Sequence, residues 1–95
     1  MNKEKESTYS HASFRIDIAN PYEAVNKGDI VLVNLEQTSP RNNDLVLIDI
    51  DGLKEVSRAE KIGSAPLRLF PHHFIKRDSI NDIILGIVVN IQRNH

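Results

Sequence analysis

The order of apolar and polar residues predicts β-strands along most of this chain. Phe14, Ile16 and Ile18 alternate with charged residues, and alternation with a period of two is typical of a half-buried strand. Two later stretches, residues 29–35 and 44–50, are almost continuously apolar and rich in Val and Ile. Their composition indicates strands that are buried on much of their surface.

Turn residues separate these stretches from one another. Asp51-Gly52 predicts a type I′ hairpin turn, because both of its central residues need a positive φ. The return strand, residues 53–62 (LKEVSRAEKI), is less apolar than its partner, so we expect it nearer an edge or a cleft. A further turn at residues 63–66 leads into a short strand at residues 67–70.

The longest apolar segment, residues 82–93, could be a helix or a strand. Nearly all of its apolar residues are β-branched, and Gly86 would cost a helix about 1 kcal/mol relative to Ala. We therefore predict a strand, in which Gly86 marks a bend, a bulge or a close backbone approach. The preceding residues, 71–81, are expected to be irregular, and residues 22–25 offer a short helical turn.

About six or seven short strands with little helix predict a mostly-β domain. We expect this domain to span residues 13–95. Residues 1–12 are polar, carry charges of both signs and show no apolar period, so we expect a flexible tail there.

Composition narrows the function classes. Ninety-five residues suit one small domain, and without cysteine there is neither a disulfide nor a thiolate metal site. A net charge of -1 argues against direct contact with nucleic acid. No apolar run approaches the ~20 residues needed to span a bilayer, and no secretory signal is evident. We expect a cytoplasmic protein without cofactor, membrane contact or small-molecule substrate.

The residues capable of catalysis or metal binding form no familiar pattern. His72 and His73 are adjacent, so on a strand they would point to opposite faces, and no chelating His spacing occurs. There is no G-x-S-x-G element and no Gly-rich phosphate loop. Nothing in the pattern brings two carboxylates into one cleft, although several lie close in sequence: Asp44, Asp49, Asp51 and Glu55.

The order of strands and turns nevertheless resembles one family. Gly28-Asp29 leads into IVLV, RNNDLVLIDIDG supplies a second strand with its hairpin, and VSRA follows on the return strand. LRLFP and a closing LGIVV strand come next, with Arg93 just beyond. In this order and spacing the chain is similar, from Phe14 to Arg93, to the C-terminal domain of LexA-like repressors, the S24 self-cleaving peptidases. The resemblance implies a small LexA/signal-peptidase-like β domain.

The resemblance also implies a catalytic dyad whose two positions are altered here. In the family a serine hydroxyl attacks the peptide carbonyl, and a lysine amine of lowered pKa accepts its proton. The serine position falls on Asn20, followed by Pro21, and the lysine position falls on Ser57. Neither Asn20 nor Ser57 can perform its family role, and the family's usual upstream cleavage segment is absent from this sequence. We therefore expect no enzymatic activity.

Two lysines could in principle replace the missing base. If Ser57 were the nucleophile, Lys54 would be three residues away and on the opposite face of a strand. Lys61 would share its face but lie roughly 13 Å along the strand. Neither lysine forms a dyad with Ser57 on a regular strand.

Without catalysis, the resemblance implies oligomerisation or protein interaction, as in phage repressors. The partner would be a second copy of the chain or another regulatory protein. The sequence contains no helix-turn-helix pattern, so we expect either an excised C-terminal domain or a stand-alone copy. An alternative is a peptide-binding pseudo-peptidase, and an active self-cleaving peptidase is a third. The last strand is equally compatible with an interface or a core strand; its candidate interface residues are Ile84, Ile87, Val88, Val89 and Ile91.

Overall fold

The computed structural model describes residues 10–71 and 77–93, with side chains from residue 80 onward in the second range. Within these residues six strands form one antiparallel sheet in the order β1-β2-β6-β3-β4-β5. The expected mostly-β architecture is confirmed. The strands are β1 His11–Arg15, β2 Ile30–Asn34, β3 Leu45–Ile50, β4 Leu53–Glu60, β5 Arg68–Phe70 and β6 Ile84–Gln92.

β6 lies in the middle of the sheet, between β2 and β3. Its first half, Ile84 to Val88, is buried or half-buried on both faces, and such a segment has few positions for polar residues, which explains its Ile and Val content. A Cβ atom added to Gly86 would clash with the carbonyl oxygen of Asn34, and it would lie 2.7 Å from Cγ1 of Val33. The β3–β6 register also shifts between Leu47 and Ile48, opposite this glycine. The predicted close approach and bulge at Gly86 are both confirmed.

The hairpin between β3 and β4 turns at Asp51 and Gly52, with φ of 54° and 87°. Both positive values match the predicted turn. The hairpin aligns Val46 with Ser57 and Leu47 with Val56. Adjacent residues of β4 therefore face opposite sides of the sheet.

The chain after β1 changes its strand partner. Ile16 still donates its backbone N–H to the carbonyl of Asp29 beside β2, at 2.9 Å. The N–H groups of Asp17 and Ile18 instead donate to the carbonyl of Lys54 on β4, at 2.9 and 3.1 Å. The segment thus joins opposite parts of the sheet, and the sheet curls around an interior core.

Each face of the sheet has its own core. The first core cluster fills the interior of the curl and consists of Ile16, Val25, Val31, Val33, Leu47 and Val56. The second core cluster lies on the other face, and α1 (Arg77–Ile83) contributes to it. Its buried members are Val46, Ile48, Ala59, Leu69, Ile80 and Ile84.

Helix α1 corrects the expectation for this part of the chain, which was an irregular segment to residue 81 and a strand from residue 82. Ile80 and Ile83 lie three residues apart, so they share one helix face, and both pack in or against the second core cluster. The gain from burying these two side chains outweighs their modest helix propensity. Residues 72–76, including both predicted loop histidines, lie outside the described residues.

Two smaller features complete the fold. Residues Pro21–Glu23 form a 3-10 turn, close to the helical turn expected at residues 22–25. β1 begins at His11, and residues 1–9 of the expected tail lie outside the described residues. No helix in the described ranges has the length and apolar content to cross a membrane.

Candidate functional site

Asn20 occupies the end of the segment that runs from β1 to β4, and it is 1% exposed. Its Oδ1 accepts a hydrogen bond from the backbone N–H of Tyr22 at 3.0 Å. Its Nδ2 donates to the carbonyl of Val56 at 2.7 Å. Asn20 therefore caps the 3-10 turn, whose first residue is Pro21, and fastens that turn to β4.

Ser57 lies on β4 directly opposite Val46, on the face of the second core cluster. Its side chain is fully buried, and Oγ has no hydrogen-bond partner in the described part of the chain. A buried hydroxyl without a partner costs free energy, because it has lost its hydrogen bonds to water. Ser57 consequently differs from Asn20 in having no bonding role.

The structure brings the two dyad positions of the resemblance together. The amide of Asn20 bonds the carbonyl of Val56, the residue immediately before Ser57. The sequence separates these positions by 37 residues, and the switch of strand partner after Ile16 closes that gap. The side chain of Asn20 is thus bonded to the backbone of the strand that carries Ser57.

Neither lysine considered as a replacement base is oriented toward Ser57. Lys54 Nζ lies 2.9 Å from Asp49 Oδ2, so Lys54 is committed to the hairpin. Lys61 Nζ donates to the carbonyls of Gly63 and Ala65, both at 3.0 Å. Each ammonium group is held by acceptors of its own loop or hairpin.

In the β3–β4 hairpin, the carboxylate of Asp49 has a pKa that is shifted from its ordinary value. The hydrogen bond from Lys54 lowers the pKa of Asp49, and the backbone N–H of Gly52 lowers it further. Both interactions stabilise the charged form. They support the turn geometry and leave Asp49 at the surface, as strand alternation predicts.

Arg58 and Glu23 form a second link between the 3-10 turn and β4. Arg58 Nε and Nη2 donate to the two carboxylate oxygens of Glu23, at 2.7 and 2.6 Å. Arg58 Nη1 also donates to the carbonyl of Asn43 at 2.8 Å. The hydrogen bonds to Glu23 raise the pKa of Arg58. This bidentate pair holds the turn that carries Asn20 against the strand that carries Ser57.

An aromatic pair lies at the surface beside Asn20. The rings of Tyr22 and Phe70 meet edge to face, with centroids 4.9 Å apart. Tyr22 is 67% exposed, so one side of its ring is open to solvent. An exposed aromatic ring offers apolar contact area at a low cost in conformational entropy.

The candidate interface residues on β6 are mostly core residues. Ile84 is buried in the second core cluster, and Ile87 packs against it. Val88 and Ile91 pack against the first core cluster, whereas Val89 is 49% exposed. β6 is paired with β3 from Ile84 to Ile87 and with β2 from Ile87 to Gln92, so only its last residues lack a strand on the β3 side.

The other acidic residues considered from the sequence do not come together in one site. Asp44 accepts a hydrogen bond from the backbone N–H of Arg41, and Asp51 belongs to the hairpin turn. Glu55 is 3% exposed on β4, beside Ile48. Across residues 10–71 and 77–93, no three His, Asp or Glu side chains are grouped to hold a metal ion.

Sequence reasoning identified Asn20 and Ser57 but missed the Glu23–Arg58 pair. Its partners are 35 residues apart, and only the fold shows that they meet. No protein-family model matches the chain, and no curated protein matches it in sequence.

Proposed function

We propose that this chain is a non-catalytic domain of the LexA-like, S24 peptidase type. It works through protein–protein contact, chiefly self-association, in transcriptional control of a phage or mobile element. The mostly-β sheet and its strand order are compatible with the resemblance. The observation that supports the proposal most is the hydrogen bond from Asn20 to the carbonyl of Val56, because it joins one position chosen from the resemblance to the residue before the other.

The contacts of these residues support the absence of a serine–lysine reaction. Such a reaction needs a hydroxyl within hydrogen-bond reach of an amine that is neutral at working pH. Asn20 has no hydroxyl, and both polar atoms of its side chain are used in structural hydrogen bonds. Ser57 Oγ has no base within hydrogen-bond distance among the described residues.

Incubation at alkaline pH tests the loss of reaction, because a high pH would favour a neutral lysine base. We expect the intact mass of the chain to stay constant, and the Ser57→Ala variant to behave identically. Discrete fragments from the wild type that are absent from Ser57→Ala would show that Ser57 is a nucleophile. That result would overturn the proposal.

Size-exclusion chromatography with light scattering tests the association. We expect a molar mass above that of one chain at high micromolar concentration. A strict monomer at that concentration would contradict self-association and leave binding to another protein as the function.

A second candidate function is peptide binding without cleavage. It is favoured by the exposed ring of Tyr22, which lies two residues from Asn20. Extended peptides can add to a protein as an extra strand beside such a site.

Titration with extended peptides separates this candidate from self-association. Peptide binding predicts amide shifts at Asn20 and Ser57 that weaken in the Tyr22→Ala variant. Unchanged amide signals at these two residues would count against a peptide site.

A further inference from the structure

β1 forms one edge of the sheet, and its outer side carries no other strand of the described residues. Edge strands present rows of unpaired backbone donors and acceptors, which are templates for pairing with another chain. Natural edges are often protected by Pro, Lys or a bulge. β1 reads HASFR and pairs with β2 without a register shift, so it contains none of these protections. Arg15 is its one fully charged residue.

The hydrogen bonds at both ends of β1 show which backbone groups point outward. The carbonyl of Ser10 accepts from the N–H of Leu35 at 2.7 Å, and the N–H of Ile16 donates to Asp29 at 2.9 Å. Residues 10 and 16 thus bond toward β2, and in an antiparallel ladder the bonding residues alternate. The N–H and C=O groups of the odd-numbered residues point to the outer edge: His11, Ser13 and Arg15.

We propose that this edge pairs with β1 of a second copy of the chain, antiparallel and centred on Ser13. The inference deepens the self-association proposed above and rests on it, because it names the surface and the partner. The contact between the two β1 strands would then merge two six-stranded sheets into one continuous sheet. Each of the pairs 11–15′, 13–13′ and 15–11′ exchanges two backbone hydrogen bonds, which makes about six in all.

A second copy fits this edge because the strand is self-complementary about Ser13. Two-fold symmetry places Ala12 opposite Phe14 of the second copy, so a small side chain meets a large one. Both residues are half-buried in one chain, and Phe14 packs against the first core cluster. Pairing would extend that apolar contact across the two copies. The side chain of Ser13 is exposed and small, so the two Ser13 residues meet at the symmetry axis without crowding.

The other strands offer less regular edges. β6 lies inside the sheet and pairs with β2 from Ile87 to Gln92, so only its last residues, beyond Ile87, lack a strand on the β3 side. β5, the opposite edge of the sheet, has only three residues. The segment at residues 17–18 occupies part of the β4 edge. Of the two outermost strands in the described part of the chain, β1 is the longer.

Disulfide trapping tests the register directly, because the chain has no cysteine of its own. Directly opposed residues of a hydrogen-bonded antiparallel pair have Cα atoms about 5.5 Å apart, which a disulfide can span. We expect the Ser13→Cys variant to form a covalent dimer on mild oxidation. The matched control is Ser64→Cys, which is exposed on the loop between β4 and β5, and we expect it to stay largely monomeric.

Single cysteines at positions 11 and 15 sharpen the test. In the proposed register His11→Cys alone and Arg15→Cys alone do not meet their own copies, whereas a mixture of the two variants cross-links. Cross-linking of Ser13→Cys no faster than Ser64→Cys would overturn the proposal. Equal trapping at all three β1 positions would overturn the register and show an unspecific encounter.

Removing the hydrogen bonds that Ser13 donates across the dimer contact tests the same contact through the dissociation constant of the dimer. Ser13→Pro removes an N–H that points outward, and proline is tolerated on an edge strand. We expect the dimer dissociation constant to rise by about tenfold or more, whereas Ser13→Ala, which keeps its N–H, leaves it nearly unchanged. An unchanged dimer in Ser13→Pro, together with no trapping at residue 13, would place the dimer contact elsewhere. A wild-type monomer would defeat both this proposal and self-association, whereas cleavage at alkaline pH would defeat only the loss of catalysis.

Discussion

Asn20 and Ser57 are neighbours in the structure, yet their surroundings differ in one respect. Both are buried, at 1% and 0% exposure. Both polar atoms of the Asn20 side chain are hydrogen-bonded, and they connect a turn to a strand. The Ser57 hydroxyl bonds nothing in the described residues. One position has taken on a structural role, whereas the other is only a small side chain that fits its space.

Under the proposed function, this difference explains how a site can lack a reaction and keep its shape. A catalytic serine needs a hydroxyl that is available to a base. An asparagine at the same place uses its side chain to satisfy two backbone groups that folding would otherwise leave buried and unpaired. Asn20 therefore stabilises the fold through these two hydrogen bonds, and Ser57 needs only to be small enough for the second core cluster.

The largest expected effect comes from Asn20→Ala, which leaves the Val56 carbonyl and the Tyr22 N–H without their partners. We expect the free energy of unfolding to fall by about 3 kcal/mol, since each unsatisfied buried group costs about 1–3 kcal/mol. Chemical denaturation measures it. The control is Asn26→Ala, an exposed asparagine of the same connection, which should change stability by less than about 0.5 kcal/mol. Equal effects at the two positions would contradict a structural role for Asn20.

The Glu23→Gln variant tests the ion pair with Arg58, which also holds the 3-10 turn against β4. It keeps an acceptor for Arg58 but removes the charge and the bidentate geometry. We expect a loss of about 1 kcal/mol, because the pair is partly exposed and solvent screens it. Glu36→Gln, on an exposed loop, is the matched control. No difference between the two variants in thermal unfolding would remove the ion pair from the forces that position Asn20.

Ser57→Ala should have a small effect of opposite sign. Removing a buried hydroxyl without a partner relieves its desolvation cost and opens very little space. We expect the free energy of unfolding to stay constant or rise by about 0.5–1 kcal/mol. A loss of more than about 1 kcal/mol in urea denaturation would show that Oγ makes a stabilising hydrogen bond, and the contrast with Asn20 would then disappear.

The smallest effect belongs to Asp49, on the hairpin away from both positions. Its pKa is lowered by Lys54 in the folded chain, so its stabilising contribution is present above the ordinary carboxylate pKa. That contribution is lost as the pH falls through the lower, folded value. The stability difference between wild type and Asp49→Asn should therefore shrink below about pH 4. High salt should reduce it as well, and a difference that grows on acidification would contradict the ion pair.

The sequence predicted the sheet better than it predicted the ends of its elements. Alternation at Phe14, Ile16 and Ile18 was interpreted as one strand, yet β1 ends at Arg15. The alternation is real, but the strand partner changes from β2 to β4 within it. A periodic pattern reports which side chains are buried and cannot report which strand supplies the hydrogen bonds. Gly86 was predictable because a glycine within an apolar strand already signals a close neighbour.

Helix α1 and the Glu23–Arg58 pair could not be predicted from the sequence, because both depend on tertiary contacts. Ile80 and Ile83 give only a short helical pattern, and the following β-branched residues favour a strand. The pair joins residues from distant parts of the chain, and no local pattern indicates it. Asn20 and Ser57 were selected only through the resemblance in strand order, because their residue types suggest no chemistry; their place in a former site stays a prediction.

A native mass spectrum of the wild-type chain, recorded after prolonged alkaline incubation, tests the central claim most directly. It counts the copies in the assembly and weighs each chain. The proposed function predicts a dimer of two uncleaved chains, joined through the β1 edge. Cleaved chains would contradict the loss of reaction, and intact monomers at micromolar concentration would contradict self-association.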